Sequence, residues 1–367
     1  MKRVFTGLLF ALILLYNGAA KADARAEILI EGSTGRVLYA NNAEAALPMA
    51  STTKIMTALL ALELCDLNDT VTAGHNAFGV PGTSIYLSEG ESLTLLQMLM
   101  GLMLSSGNDA AVAIAEHIGG SVENFCAMMT ARARELGCKN TVFLTPHGLP
   151  KAGHQTTAHD LALIAREAMK NKTFRSIVAT QKASIPWAGH DYERVLTNKN
   201  RLLSSYQGAT GIKTGYTAAA GRCLVFSAQR DQMELIGVVL NCPDWFDEAE
   251  KLLDEGFDEW QMITLLSKDE AVRTLKVENG ATDHVDVIAA LDVAGPVRLN
   301  DWPSLAIDLP ETLTAPVEKG QEIGKVSLMD GQEVILTVPL TAAESVPVTS
   351  FRTGLDRLIL FWPVLDR

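Results

Sequence analysis

Pro48-Met49-Ala50-Ser51-Thr52-Thr53-Lys54-Ile55-Met56-Thr57 is the stretch on which the fold turns. It opens a helical pattern over residues 51–63, where Ile55, Met56, Leu59, Leu60 and Leu62 recur every three to four residues. Upstream, residues 26–31 and 36–40 read as two strands joined by a Gly32-Ser33-Thr34-Gly35 turn. Downstream, residues 93–104 are apolar on nearly every side, the mark of a helix buried in a core. Residues 109–118 restart a helix that stops at Gly119-Gly120, and residues 144–159 form a polar loop rich in Pro, Gly and His. Residues 223–228 and 234–241 read as a strand pair around an Arg-Asp-Gln turn, followed by an amphipathic helix over 245–260. Strands at both ends with helices between them predict an α+β domain over 23–264, its first and last segments meeting in one antiparallel sheet. Beyond Leu266 short β-rich runs broken by Gly and Pro predict a smaller all-β domain over 267–347.

Two short segments flank these domains. Lys2 and Arg3, an apolar run over 4–16, and Ala20-Lys21-Ala22 have the three parts of a secretory signal over 1–22. The apolar run is short for a bilayer span. Cleavage would remove Lys2, Arg3 and Lys21, taking the net charge from −12 to −15. At the other end, over 348–367, Phe351, Leu355, Leu358, Ile359, Phe361 and Trp362 gather on one side of a helix, with Arg352, Asp356 and Arg357 opposite. Such a segment lies in a membrane interface, here the outer face of the cytoplasmic membrane, or docks on the β domain. The chain is thus expected to work outside the cytoplasm. A net charge of −12 argues against nucleic acid as a partner.

The five cysteines are an odd number and lack the paired spacings of a zinc site, so buried free thiols are expected and no metal or cofactor. No Gly-x-Ser-x-Gly elbow, His-Glu-x-x-His pair, phosphate loop or dinucleotide fingerprint is present.

The chemistry rests on three short patterns: Ser51-Thr52-Thr53-Lys54, Ser106-Gly107-Asn108 and Lys213-Thr214-Gly215. A Ser three residues before a Lys occurs about once by chance in a chain this long, so only the ordered set carries weight. Residues three apart share a helix face, which brings the Lys54 amine to the Ser51 hydroxyl. A neutral lysine at pH 7 requires a pKa roughly three units below its ordinary value, on the order of 4 kcal/mol, supplied by burial or a neighbouring cation such as Lys213. The other reading makes Ser51 a plain helix cap. Ser106 can relay a proton and the Asn108 amide can hold a substrate backbone; the bland alternative is a turn that starts the next helix. Lys213, Thr214 and Gly215 sit on a predicted strand that can pair with an extended peptide, with Lys213 and Thr214 suited to its carboxylate and Gly215 allowing close approach. A strand-end turn with a solvated lysine is the plain alternative there.

With these residues quoted, the chain resembles low-molecular-mass penicillin-binding proteins of the serine D-Ala-D-Ala carboxypeptidase type. The resemblance extends to 34–39, to Leu104-Ser105-Ser106-Gly107-Asn108-Asp109, to Pro146-His147-Gly148-Leu149 and to Gly211-Ile212-Lys213-Thr214-Gly215-Tyr216-Thr217. It implies a penicillin-binding/β-lactamase-like transpeptidase domain and removal of the terminal D-Ala from peptidoglycan stem peptides. It further implies an acyl-enzyme on Ser51, Lys54 as base, and Ser106 with Asn108 completing the proton path and holding substrate. Lys213 and Thr214 would bind the terminal carboxylate, the N–H groups of Ser51 and Tyr216 would form the oxyanion hole, and β-lactams would acylate Ser51. Lys199 falls near a position that is often basic in the family. A D,D-endopeptidase would keep the same site. A class A β-lactamase would need a glutamate in the 144–160 loop, where Asp160 is the one carboxylate, and a β-lactam sensor would need a signalling region.

Overall fold

The structure is a computed structural model that describes residues 24–349, so the expected signal and all but the first residues of the amphipathic tail lie outside the described residues. In chain order the first unit contains β1 (Ala26–Glu31), β2 (Val37–Asn41), a 3₁₀ turn (Ala50–Thr53), α1 (Lys54–Leu64), β3 (Thr70–Thr72), β4 (Ser92–Thr94), α2 (Leu95–Met103), α3 (Asn108–Gly119) and α4 (Val122–Glu135). Then come α5 (Ala158–Lys170), α6 (Lys172–Ala179), β5 (Lys182–Ile185), β6 (Arg194–Thr197), α7 (Leu202–Ser205), β7 (Ala209–Thr217), β8 (Gly221–Arg230), β9 (Met233–Leu240) and α8 (Trp245–Glu259).

The expected sheet forms, in the order β2-β1-β9-β8-β7. Its first strand lies antiparallel to its last, from Ala26 opposite Leu240 to Glu31 opposite Leu235. β1 is buried along its whole length because helices cover both faces of the sheet. Its alternation survives as a choice of core. Ile28 and Ile30 face the cluster built on α1, α2, α3 and α5, while Leu29 faces Leu252 and Leu253 of α8. α2 begins with a capping box, in which Thr94 and Gln97 exchange side-chain and backbone hydrogen bonds. It then buries Leu95, Met98, Leu99, Leu102 and Met103, each contributing on the order of 2 kcal/mol. α3 ends where expected, at Gly120 with φ 70°.

Two sequence expectations shift. Ser51 lies inside the 3₁₀ turn ahead of α1 and caps nothing; the cap position is Met49, without a side-chain bond. His159, read as loop, belongs to α5, whose cap is Thr157.

The described residues after Glu259 form strands and no helix: β10 (Trp260–Leu266), β11 (Ala271–Glu278), β12 (His284–Ala289), β13 (Val293–Arg298), β14 (Ser304–Asp308), β15 (Thr312–Thr314), β16 (Glu322–Asp330) and β17 (Glu333–Ala342). A six-stranded sheet runs β14-β16-β17-β12-β11-β15, and β10 pairs with β13, so in hydrogen bonding Trp260 already belongs to this second unit. No helix among the described residues is long and apolar enough to cross a membrane. All five cysteines are free.

The seam between the units centres on Arg36. Its buried guanidinium donates to the Pro296 carbonyl at 2.8 Å, to Asp330 at 2.6 Å and to Glu333 at 2.9 Å, and stands 4.9 Å from the Trp260 ring centre. Arg36 is aimed by the β1–β2 turn, where the Glu31 carboxylate gathers the N–H and hydroxyl groups of Ser33 and Thr34. Arg36→Ala strands the Asp330 carboxylate and the Pro296 carbonyl. It should destabilise the protein by about 1–3 kcal/mol and expose the seam to limited proteolysis near Trp260. An unchanged denaturation midpoint would remove Arg36 from this role.

Candidate active site

The cleft lies where the 3₁₀ turn, the α2–α3 junction, the 144–157 loop and β7 converge. It has a volume of about 430 Å³, and its walls include Ser51, Ser106, Asn108, Lys199, Thr214, Gly215 and Tyr216. The three sequence patterns therefore meet. Lys54 and Lys213 lie beneath this surface, almost wholly buried.

Ser51 and Lys54 are three apart in a 3₁₀ turn that runs straight into α1, a geometry that eclipses such side chains. Lys54 Nζ lies 3.0 Å from Ser51 Oγ, 2.8 Å from Asn108 Oδ1 and 2.9 Å from the His147 carbonyl. The Asn108 amide is oriented unambiguously, since its Nδ2 donates to the Pro81 carbonyl at 2.7 Å. None of the three partners is a carboxylate. Burial, followed by the charges of Lys213 and Lys199, holds the Lys54 pKa well below the ordinary lysine range. A neutral amine has two N–H bonds and one lone pair. Asn108 Oδ1 and the His147 carbonyl can only accept, so they take both N–H bonds. The lone pair is left facing the Ser51 hydroxyl.

The turn carrying Ser51 is held from behind. Ala50 has φ 49° and Ser106 has φ 64°, left-handed conformations that cost a non-glycine residue on the order of 1–2 kcal/mol. Gly148, at φ +89°, passes so close to the Ala50 carbonyl that no Cβ fits. Thr53 Oγ1 donates to the Ala50 carbonyl at 2.8 Å and receives His154 Nε2 at 2.9 Å, because His154 Nδ1 already accepts the Leu144 N–H. Burial drives His154 down to about 4, so this relay stays neutral. His147 organises its loop in the same way, its Nδ1 accepting the Leu149 N–H, and burial lowers it to about 3.

Asp109 straps the segment that bounds the other wall. Its carboxylate accepts the N–H groups of Ile85 and Leu87 and the Ser84 hydroxyl, while Thr83 bonds both Asn108 N–H and the Ser106 carbonyl. Residue types alone did not single out Asp109, Thr83 or the His147 carbonyl. The Pro81-Gly82-Thr83-Ser84 turn was the available signal for this wall, and a backbone carbonyl has no signature in composition.

β7 is the edge strand of the sheet. α6 covers its first half, with Val178 against Gly211. The half from Lys213 to Thr217 borders the cleft. Gly215 lies against the 3₁₀ turn, where an added Cβ would come 2.8 Å from the Ser51 nitrogen. The Tyr216 side chain points outward and is 65% exposed. Lys213 Nζ donates to the Thr214 carbonyl at 3.0 Å, and burial, with Lys199 adding repulsion, lowers Lys213 to about 7. No carboxylate lines the cleft among the described residues. Asp160, the acid of the 144–160 loop, is spent on Lys139 N–H, Asn140 N–H and the Thr141 hydroxyl.

A five-stranded sheet between helical layers, with a cleft serine backed by a buried lysine at its edge, defines a serine peptidase of the penicillin-binding type. Comparison with known proteins agrees: the profile of the D-alanyl-D-alanine carboxypeptidase family, peptidase S11, matches residues 16–244. That of the C-terminal domain of penicillin-binding protein 5 matches residues 260–348. D-alanyl-D-alanine carboxypeptidase DacF of Bacillus subtilis is 34% identical, covering 99% of each chain. DacC of Escherichia coli is 35% identical over 91% of this chain and 86% of its own. The crystal structure of penicillin-binding protein 5 from Haemophilus influenzae superposes with a TM-score of 0.76 at 29% identity, covering 88% of this chain and 97% of its own. The chain belongs to the D-alanyl-D-alanine carboxypeptidase family.

The buried lysines set a pH dependence of stability. Below about pH 7 Lys213 is charged both folded and unfolded, and the full cost of burying the charge is present. Between about 7 and the ordinary value of 10.5 the unfolded chain holds a proton that the folded protein has released, so stability climbs with pH. Lys213→Met should therefore stabilise the protein most near pH 6, by on the order of a few kcal/mol, with the gain shrinking toward pH 10. Melting curves across that range check it; a gain that grows with pH would contradict the burial cost.

Proposed function

We propose that the protein is a serine D-Ala-D-Ala carboxypeptidase that acts through an acyl-enzyme on Ser51. The observation that carries this reading is the Lys54 amine, buried without a carboxylate and with its lone pair left for Ser51 Oγ. Lys54 takes the hydroxyl proton as Ser51 Oγ attacks the carbonyl of the penultimate D-Ala. The resulting oxyanion is received by the N–H groups of Ser51 and Tyr216, a pairing supported by the close packing of Gly215 on the Ser51 nitrogen. As the intermediate collapses, the bond to the terminal D-Ala breaks and its nitrogen takes the proton, relayed from Lys54 through Ser106. Water then attacks the ester, returns a proton to Ser51 and frees the shortened peptide.

Lys213 and Thr214 receive the terminal carboxylate. The arriving carboxylate favours the charged form of Lys213, whose pKa near 7 leaves it poised between states. A charged Lys213 lowers the pKa of Lys54, which keeps that amine in its neutral, proton-accepting form. Asn108 and the open edge of β7 hold the peptide backbone, an arrangement supported by the edge position of the strand. β-Lactams, which carry a carboxylate beside a strained amide, acylate the same hydroxyl. The protein works on peptidoglycan outside the cytoplasm, and the segment 348–367 attaches it to the outer face of the membrane.

Release of D-Ala from a diacyl-Lys-D-Ala-D-Ala peptide tests the reading. Ser51→Ala should lower it by more than about 10³-fold and abolish covalent labelling by penicillin. Penicillin labelling of the native protein without D-Ala release, together with cleavage of crosslinked peptide dimers, would replace the carboxypeptidase with an endopeptidase.

A further inference from the structure

α1 and α3 both start at the cleft, at Lys54 and Asn108, and run roughly 16–18 Å to their C-terminal ends. There, Cys65 Sγ, a carboxylate oxygen of Asp69 and a ring nitrogen of His117 all lie within 4.8 Å of one another. Cys65 and Asp69 are four residues apart, His117 is distant in sequence, and all three come from fixed backbone positions. Cys65 is the cap residue of α1, its N–H bonded to the Ala61 carbonyl at 3.2 Å. Asp69 is held in a turn by its N–H to the Asp66 carbonyl at 3.0 Å, and its own carbonyl accepts the Leu95 N–H at 2.8 Å. His117 occupies the last turn of α3. One Asp69 oxygen accepts the Asp66 N–H at 3.0 Å, which leaves the other for an ion.

Ligand atoms about 2.0–2.3 Å from a tetrahedral zinc ion stand roughly 3.3–3.8 Å apart, so modest rotamer changes in partly exposed side chains close this set. Two helix C-termini meet at the same place, and their unpaired carbonyls favour a cation. A thiolate and an imidazole select a zinc-like ion over calcium or magnesium, and a carboxylate completes a three-residue set with water in the fourth position.

We propose that Cys65, Asp69 and His117 bind one zinc-class divalent ion that clamps the distal ends of α1 and α3. The ion takes no part in the reaction, because the cleft lies at the other end of both helices. Its binding makes one bond each to sulfur, nitrogen and oxygen, and the Cys65 thiol gives up its proton to solvent. Sequence spacing concealed the set: it contains one cysteine and one histidine from different elements, with no repeated motif.

The exported protein, stripped with chelator and titrated with Co²⁺ alone, provides the test. One equivalent should bind and produce a thiolate-to-cobalt charge-transfer band. Cys65→Ser should abolish the band, His117→Ala should weaken binding by about tenfold or more, and Cys126→Ser should leave both unchanged. Zn²⁺ should raise the unfolding midpoint of the native protein and not that of Cys65→Ser, while D-Ala release by the folded native protein stays the same with and without metal. The proposal is overturned by absence of the band in the native protein or its survival in Cys65→Ser. Stoichiometric uptake that leaves the unfolding midpoint unmoved would also overturn the clamp. If Cys65→Ser does not fold, the affinity loss in His117→Ala decides the matter, and an unchanged affinity there would sink it.

Discussion

Everything in the first domain answers to the burial of two amines, Lys54 and Lys213, with no carboxylate among the described residues hydrogen-bonded to either. Stripping an ammonium group of water is costly, and that cost holds both lysines below their ordinary pKa. What remains to be arranged is geometric. A neutral amine is useful only if its lone pair faces the right hydroxyl, and that depends on two acceptors held elsewhere: the Asn108 amide and the His147 carbonyl.

Each acceptor is fixed by a chain of its own. Asn108 is tied to Pro81 and Thr83, in a segment strapped down by Asp109. His147 belongs to a loop whose Gly148 presses on Ala50 and whose Pro146 carbonyl receives the Thr57 hydroxyl at 2.6 Å. Strain at Ala50 and Ser106 is sustained because the surrounding hydrogen bonds over-determine both positions. The sheet supplies the rigid reference. Because β1 closes against β9, the first and last strands of the sheet are locked together and frame the helices between them.

Much of this was legible in the sequence. Apolar runs bounded by turn residues located β1, β8, β9, α2 and α3, because burial writes itself into residue type. The convergence of Ser51, Ser106, Asn108, Lys213 and Thr214 was legible only from the set of three patterns, since each alone is ordinary. Two kinds of feature stayed hidden. Ser51 was read at the head of a regular helix, because a 3₁₀ turn and an α turn use the same residues and differ in one hydrogen-bond step. The second acceptor of Lys54 is a backbone carbonyl, which every residue has, so no residue type announces it. The grouping of Cys65 with His117 is tertiary in the same sense: only the packing of α1 against α3 brings them together.

The open half of β7 has a consequence of another kind. An unpaired strand edge is a template on which any extended chain can stack, including a neighbouring copy. Here the template is guarded by depth. α6 closes the half that a flat sheet could reach, and the remainder lies at the wall of the cleft, beside Trp245 and under the 81–87 segment. A slender peptide tail enters such a slot, whereas the broad edge of another folded sheet does not. The recess that borders the proposed substrate site thus also shields the open edge of β7 from another folded sheet.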